Sequence, residues 1–138
     1  MKTVIDQSSE IYKILKGISA LSYALGQGGI YKGIRPVNSQ NDDVVVNSIV
    51  LASGSLQRGV SNVNIHVADI QQTIAGKQFY APNEARLNTL TALVIPILED
   101  HFSDDFSFYI ANTSLIREPE TNQHYMNLRI NFIFENPD

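Results

Sequence analysis

The chain has 138 residues, ten Lys plus Arg against fourteen Asp plus Glu, a net charge of −4 and no cysteine. That is the length of one domain, 1–138, able to build a core without staples, and the missing cysteines exclude a disulfide framework, a thiolate nucleophile and a cysteine zinc site. Charged residues make up 17 %, below the roughly 25 % of an average domain, and the acidic balance excludes a global electrostatic attraction to nucleic acid.

Asn, Gln, Ser and Thr replace the missing charge. Such a surface is buried against a partner at lower desolvation cost than a charged one, a tilt towards assembly. The start, Met1 to Gln7, has one lysine and no apolar stretch long enough for a signal peptide. The longest apolar run, Ala92 to Leu98, falls short of the about 20 residues of a membrane span. The expectation is a soluble protein made inside a cell.

Ser8 and Ser9 precede Ile11, Ile14, Leu15, Ile18, Leu21 and Leu25, an apolar stripe at helical spacing that Gly26 closes. The pattern predicts a helix over 9–25. Gly29-Ile30-Tyr31-Lys32-Gly33-Ile34-Arg35-Pro36 reads as an edge strand or extended arm whose pairing Pro36 ends, within an arm over 29–43. The β-branched run Val44 to Leu51 and the alternating run Val60 to Asp69 predict a hairpin over 43–69, with Val63, Ile65 and Val67 on one face and Asn62, Asn64 and His66 on the other. An irregular loop over 70–82 follows, broken at Ala75-Gly76-Lys77 and carrying Phe79 and Tyr80.

Asn83 is the N-cap of a helix over 83–101 with Leu87, Leu90, Val94, Ile97 and Leu98 at helical spacing and Pro96 inside it. A last hairpin spans 106–135: Met126, Leu128, Ile130, Phe132 and Phe134 alternate with Tyr125, Asn127, Arg129 and Asn131. The sum is an α+β domain, two long helices packed on one face of an antiparallel sheet.

Catalytic patterns are absent. Gly26-Gln27-Gly28-Gly29 follows a helix and reads as its terminator, not as a phosphate loop. Ser53-Gly54-Ser55 is a turn. Glu99, Asp100 and His101 with Asp104 and Asp105 form one conceivable cation site. A histidine at a helix C-terminus beside a solvated acidic turn explains the same residues, and they lack the spacing of a calcium loop. Lys32 and Arg35 beside Tyr31 are the nearest approach to a nucleic-acid patch, and a solvated edge arm explains them better. The residues point to no enzyme, no cofactor and no metal.

The segment Gly29 to Pro36 after an N-terminal helix, followed by Asp42-Asp43-Val44-Val45-Val46-Asn47-Ser48, resembles the start of the tail terminator or tail-completion (head-tail connector, neck) family of tailed bacteriophages. The similarity of element order runs from about Ile11 to Phe134, and the chain departs from the family in its longer segment between Ile70 and Pro82. The resemblance implies a structural virion protein made in the bacterial host cytoplasm. It implies a homo-oligomeric ring, a hexamer or higher, in the neck or tail. DNA would pass through the lumen without sequence recognition, other neck and tail proteins would be its neighbours, and no membrane or catalytic residue is implied. Tyr31, Ile34, Arg35, Phe79 and Tyr80, aromatic, apolar or basic residues in the arm and the loop, are the expected oligomer interface. A negative lumen, which would let DNA slide, is compatible with the −4 charge. A metal-dependent small hydrolase with acids near His101 and a cellular protein-interaction domain stay open as alternatives.

Overall fold

The computed structural model describes residues 1–136. Helix α1 (Val4–Lys16) begins ahead of the predicted start, because Thr3 and Asp6 cap it reciprocally. The Thr3 hydroxyl accepts from the Ile5 and Asp6 amides, and the Asp6 carboxylate accepts from the Thr3 amide at 2.8 Å. That backbone bond holds the Asp6 carboxyl below its ordinary pKa. The predicted single helix over 9–25 is two. Gly17 ends α1, Ile18 turns extended (φ −89°, ψ 95°), and α2 (Ser19–Leu25) follows. Glycine is a poor helix former, and the break re-aims the stripe so that Ile11, Leu15, Leu21 and Leu25 all reach one core. Gly26 (φ 63°) closes α2 in the left-handed region, as a terminating glycine should.

Six strands form one curled, mostly antiparallel sheet. They are β1 (Ile30–Lys32), β2 (Asp43–Leu51), β3 (Gln57–Ala68), β6 (Asp100–Phe102), β7 (Phe106–Glu118) and β8 (Gln123–Phe134), in the order β1-β2-β3-β8-β7-β6. The β1–β2 pair is parallel and all the others antiparallel. Alternation sets the faces. Val44, Val46, Val63, Ile65, Leu128, Ile130, Phe132 and Phe134 bury together with α1, α2 and helix α3 (Glu84–Leu98) in one core. The α+β reading, with helices against one sheet face, describes the fold.

Two further elements differ from expectation. The predicted loop over 70–82 is a second, two-stranded sheet, β4 (Ile70–Ile74) paired with β5 (Lys77–Ala81). Its turn residues Ala75 (φ 52°) and Gly76 (φ 78°) are both left-handed, the conformation that a tight hairpin requires and that alanine disfavours. This hid the turn from sequence. The helix predicted to reach 101 stops at Leu98. His101 lies in β6 opposite Phe108, and its ring stacks on Phe106 at 5.3 Å and Phe108 at 4.8 Å. Stacking and strand pairing outweigh a place at the helix end.

Candidate assembly interface

The sheet face away from the helices is built of amides. Asn47, Asn62, Asn64 and Asn127 lie side by side on β2, β3 and β8. Asn62 donates to Asn47 at 3.1 Å, and Asn127 donates to Asn62 at 3.1 Å and Asn64 at 2.7 Å. Nearer the other end Asn131 donates to the Tyr109 hydroxyl at 2.9 Å. On β2, β3, β7 and β8 the carboxylates of this face are Asp43 and Glu118, and both have cationic or imidazole partners. The chain's negative charge is therefore not displayed here.

Asp43 anchors the arm. Its carboxylate, fully buried, pairs with Arg35 Nη2 at 2.7 Å and accepts from Ser39 Oγ at 2.6 Å and the Gly29 amide at 3.0 Å. Arg35 also donates to Gln123 Oε1 and to the Ser39 and Asn41 carbonyls. A Cβ on Gly28 would run into the Asp42 carbonyl, so the two ends of the arm meet only through glycine. Asp42 is tied to Arg86 at 2.7 Å, and Arg86 donates on to the Ala24 carbonyl.

His66 and Glu118 meet at 2.6 Å between Nδ1 and Oε1. Burial, with the nearby Arg35 cation, pushes the imidazole below its ordinary pKa and outweighs Glu118. Neutral His66 therefore donates its Nδ1 proton to the carboxylate. Asp69, which the sequence places near His66, instead pairs with His124 at 2.6 Å. Among the described residues no group of three or more His, Asp or Glu is arranged to hold a metal ion, the acids around His101 included. No helix among them is long and apolar enough to cross a membrane.

The five residues expected at an oligomer interface are not alike in place. Ile34 in the arm is 76 % exposed, and Phe79 and Tyr80 on β5 are exposed. Tyr31 is half-buried on the edge strand β1. Arg35 turns inward to Asp43 and holds the arm's shape. The β4–β5 hairpin has a mixed face with the apolar Ile70, Ile74, Phe79 and Ala81 around Gln72 and Lys77, and a polar face of Gln71, Thr73, Gln78 and Tyr80. Nearly all of it is solvent-exposed.

Sequence reasoning did not find two further features. The first is open sheet edges. Strand β6 covers β7 only opposite Ser107–Tyr109, and β1 covers β2 only opposite Val44–Val46. The rest of β7, with Leu115 and Ile116 exposed, and the end of β2, with Ile49 and Val50 exposed, carry backbone groups with no strand beside them. The second is a groove of about 340 Å³ on the amide face, walled by Val50, Arg58, Val60, Tyr109, Asn131 and Ile133. Bulges at Ser48/Val50 and Ile110/Asn112 flank it. The β3–β8 register sets Arg58 and Val60 beside Ile133 and Asn131, the bulges decide that Val50 and Tyr109 join them, and no spacing in the sequence marks them.

No protein-family model matches the chain, and no curated protein matches it in sequence. Among solved structures it is similar to a chain of "Virion of native gene transfer agent (GTA) particle", with a TM-score of 0.67 and 12 % identity, covering 96 % of this chain and 98 % of that one. At that identity the two share a fold.

Proposed function

We propose that this chain is a structural, non-enzymatic virion protein of a phage-like particle, a tail terminator or head-tail connector whose copies close a ring. The observation that carries the reading is the end-to-end likeness to a chain of a gene transfer agent virion. It agrees with the resemblance of the arm and element order to phage tail-completion proteins. The surface supports it too: two uncovered strand edges, an exposed apolar arm residue and an exposed amphipathic hairpin are what a subunit buries against neighbours.

In this reading the ring is a hexamer or higher in the neck or tail, made in the host cytoplasm and built into the virion beside other neck and tail proteins. Its copies meet through the open strand edges, through Tyr31 and Ile34, and through Phe79 and Tyr80. Arg35 acts within each subunit by fixing the arm. The part of the helix-free face that carries Asn47, Asn62, Asn64 and Asn127, away from the Val50–Ile133 groove, lines the lumen. Its amides are satisfied by one another and read no bases, and Arg58 and Arg129 on the same face offer DNA phosphates only sparse, sequence-independent contacts.

Size-exclusion chromatography with light scattering, followed by negative-stain images, tests the reading. The expected result is a closed ring of six or more copies. Tyr31→Ala with Phe79→Ala is expected to shift it to smaller species that still unfold in one cooperative transition. A monomer at high concentration would overturn the ring.

A further inference from the structure

The hairpin and the groove stand at opposite ends of one strand. Strand β3 carries the groove at Arg58–Val60 and leads into β4 just past Ala68. Roughly 25 Å of strand separates them at about 3.3 Å per residue. The β4–β5 strands pair with each other and with no strand of the larger sheet. One chain therefore cannot place its own hairpin in its own groove.

Each of the two surfaces lacks what the other offers. Ile74 is 62 % and Phe79 38 % exposed on one face of the hairpin, beside Gln72 and the stem of Lys77. A two-stranded pair of five residues each is marginal by itself in water. The groove exposes Val50 at 50 % and Tyr109 at 51 %, and its 340 Å³ is many times the roughly 30 Å³ share of one water. The Arg58 guanidinium at its rim has no hydrogen-bond or ion-pair partner among the described residues and suits the face of an aromatic ring. The hairpin brings no carboxylate of its own, only Lys77 at its turn, so the contact is apolar and aromatic, not ionic.

We infer that the β4–β5 hairpin of one copy seats in the Val50–Val60–Tyr109–Ile133 groove of the next copy. The inference rests on the ring reading and names the contact that closes it. A protrusion at one end and a receptor at the other make a head-to-tail contact, which builds a ring when the rotation between copies closes on itself. The twelve hairpin residues, 70–81, fall short of the roughly 20–30 residues a side of a standard interface. A single contact is therefore weak, and each copy gains two when the ring closes.

The absence of cysteine makes a clean test possible. Lys77→Cys marks the hairpin turn and Ser107→Cys the groove, and a short bismaleimide joins them where they meet. Mixing the two single variants is expected to give covalent dimers and nothing larger, and the double variant a ladder up to the ring number. Light scattering on the same samples reads the ring itself. A ring with no cross-link overturns the hairpin contact and leaves the ring reading standing. Covalent dimers from Lys77→Cys alone reveal a two-fold contact and overturn it as well. A monomer throughout overturns both. As a second readout, Phe79→Asp is expected to abolish the ring while leaving the thermal midpoint unchanged at a dilution where the wild type is also dissociated.

Discussion

Arg35 and Asp43 illustrate how one pair can shape a functional arm without touching a partner. The Asp43 side chain is wholly buried and that of Arg35 is 13 % exposed. Removing one member of such a pair strands the other charge, at about 3–5 kcal/mol. Arg35→Leu is expected to lose stability near the top of that range, because the stranded carboxylate has no route to water. Asp43→Asn is expected to lose less, because Arg35 can turn outward; urea unfolding of both variants checks the order. His66 gives a pH signature. Its pKa is lowered in the fold, so below about 6.5 the unfolded chain binds a proton that the native chain refuses. Stability is then full above that value and falls as pH drops towards the native pKa. Thermal midpoints of the wild type are expected to fall from pH 7 to pH 5, and those of His66→Gln to fall less.

At the scale of elements, polar chains fasten what the apolar pattern only brings near. Gln7 of α1 donates to Ser61 at 2.7 Å, Ser61 and Ser48 lie 2.7 Å apart, and Ser48 meets Ser8 at 2.7 Å. This line crosses from helix to sheet inside the core. The carbonyl oxygen of Gln7 has no partner, and a Cβ on Gly59 would come within 2.7 Å of it. Ser61→Ala leaves the Gln7 amide unpaired and is expected to cost about 1–3 kcal/mol, read as a lower urea midpoint with unchanged slope. Gln57 does similar work at the chain start, exchanging bonds of 2.8 and 3.0 Å with the Lys2 backbone. The glutamines, like the asparagines of the opposite face, are internal fastenings as well as neutral surface.

For the whole molecule the decisive property is where the charge is not. The acids of the amide face are paired and the three helices carry no net charge, so the excess of acid collects where α3 runs into β6 and β7, at Glu99, Asp100, Asp104 and Asp105. The acidic lumen compatible with that charge gives way to a neutral one in the proposed ring. The exposed surfaces assigned to assembly, Ile34, Ile74, Phe79, Val50 and Tyr109, are apolar or aromatic. Assembly is therefore expected to be little affected when salt rises from about 0.05 to 0.5 M, since screening weakens exposed ion pairs and not apolar burial. Light scattering across that range checks it; dissociation at high salt would point to ionic contacts instead.

The sequence by itself determined the α+β class, the faces of β3 and β8 and the third helix. These follow from periodicity and residue type, which are local and survive any packing. Tertiary structure decided the rest. Gly17 became a helix break because the stripe had to turn to reach one core. His101 left its helix for an aromatic stack. Ala75 took a left-handed turn that its identity disfavours, so that a loop became the hairpin. Arg35, basic and in an exposed-looking arm, found its partner eight residues on and turned inward. The open edges and the groove exist only through strand order and bulges, which bring together residues up to 83 positions apart, from Val50 to Ile133. Such contacts depend on the register of whole strands, and no short window of sequence contains them.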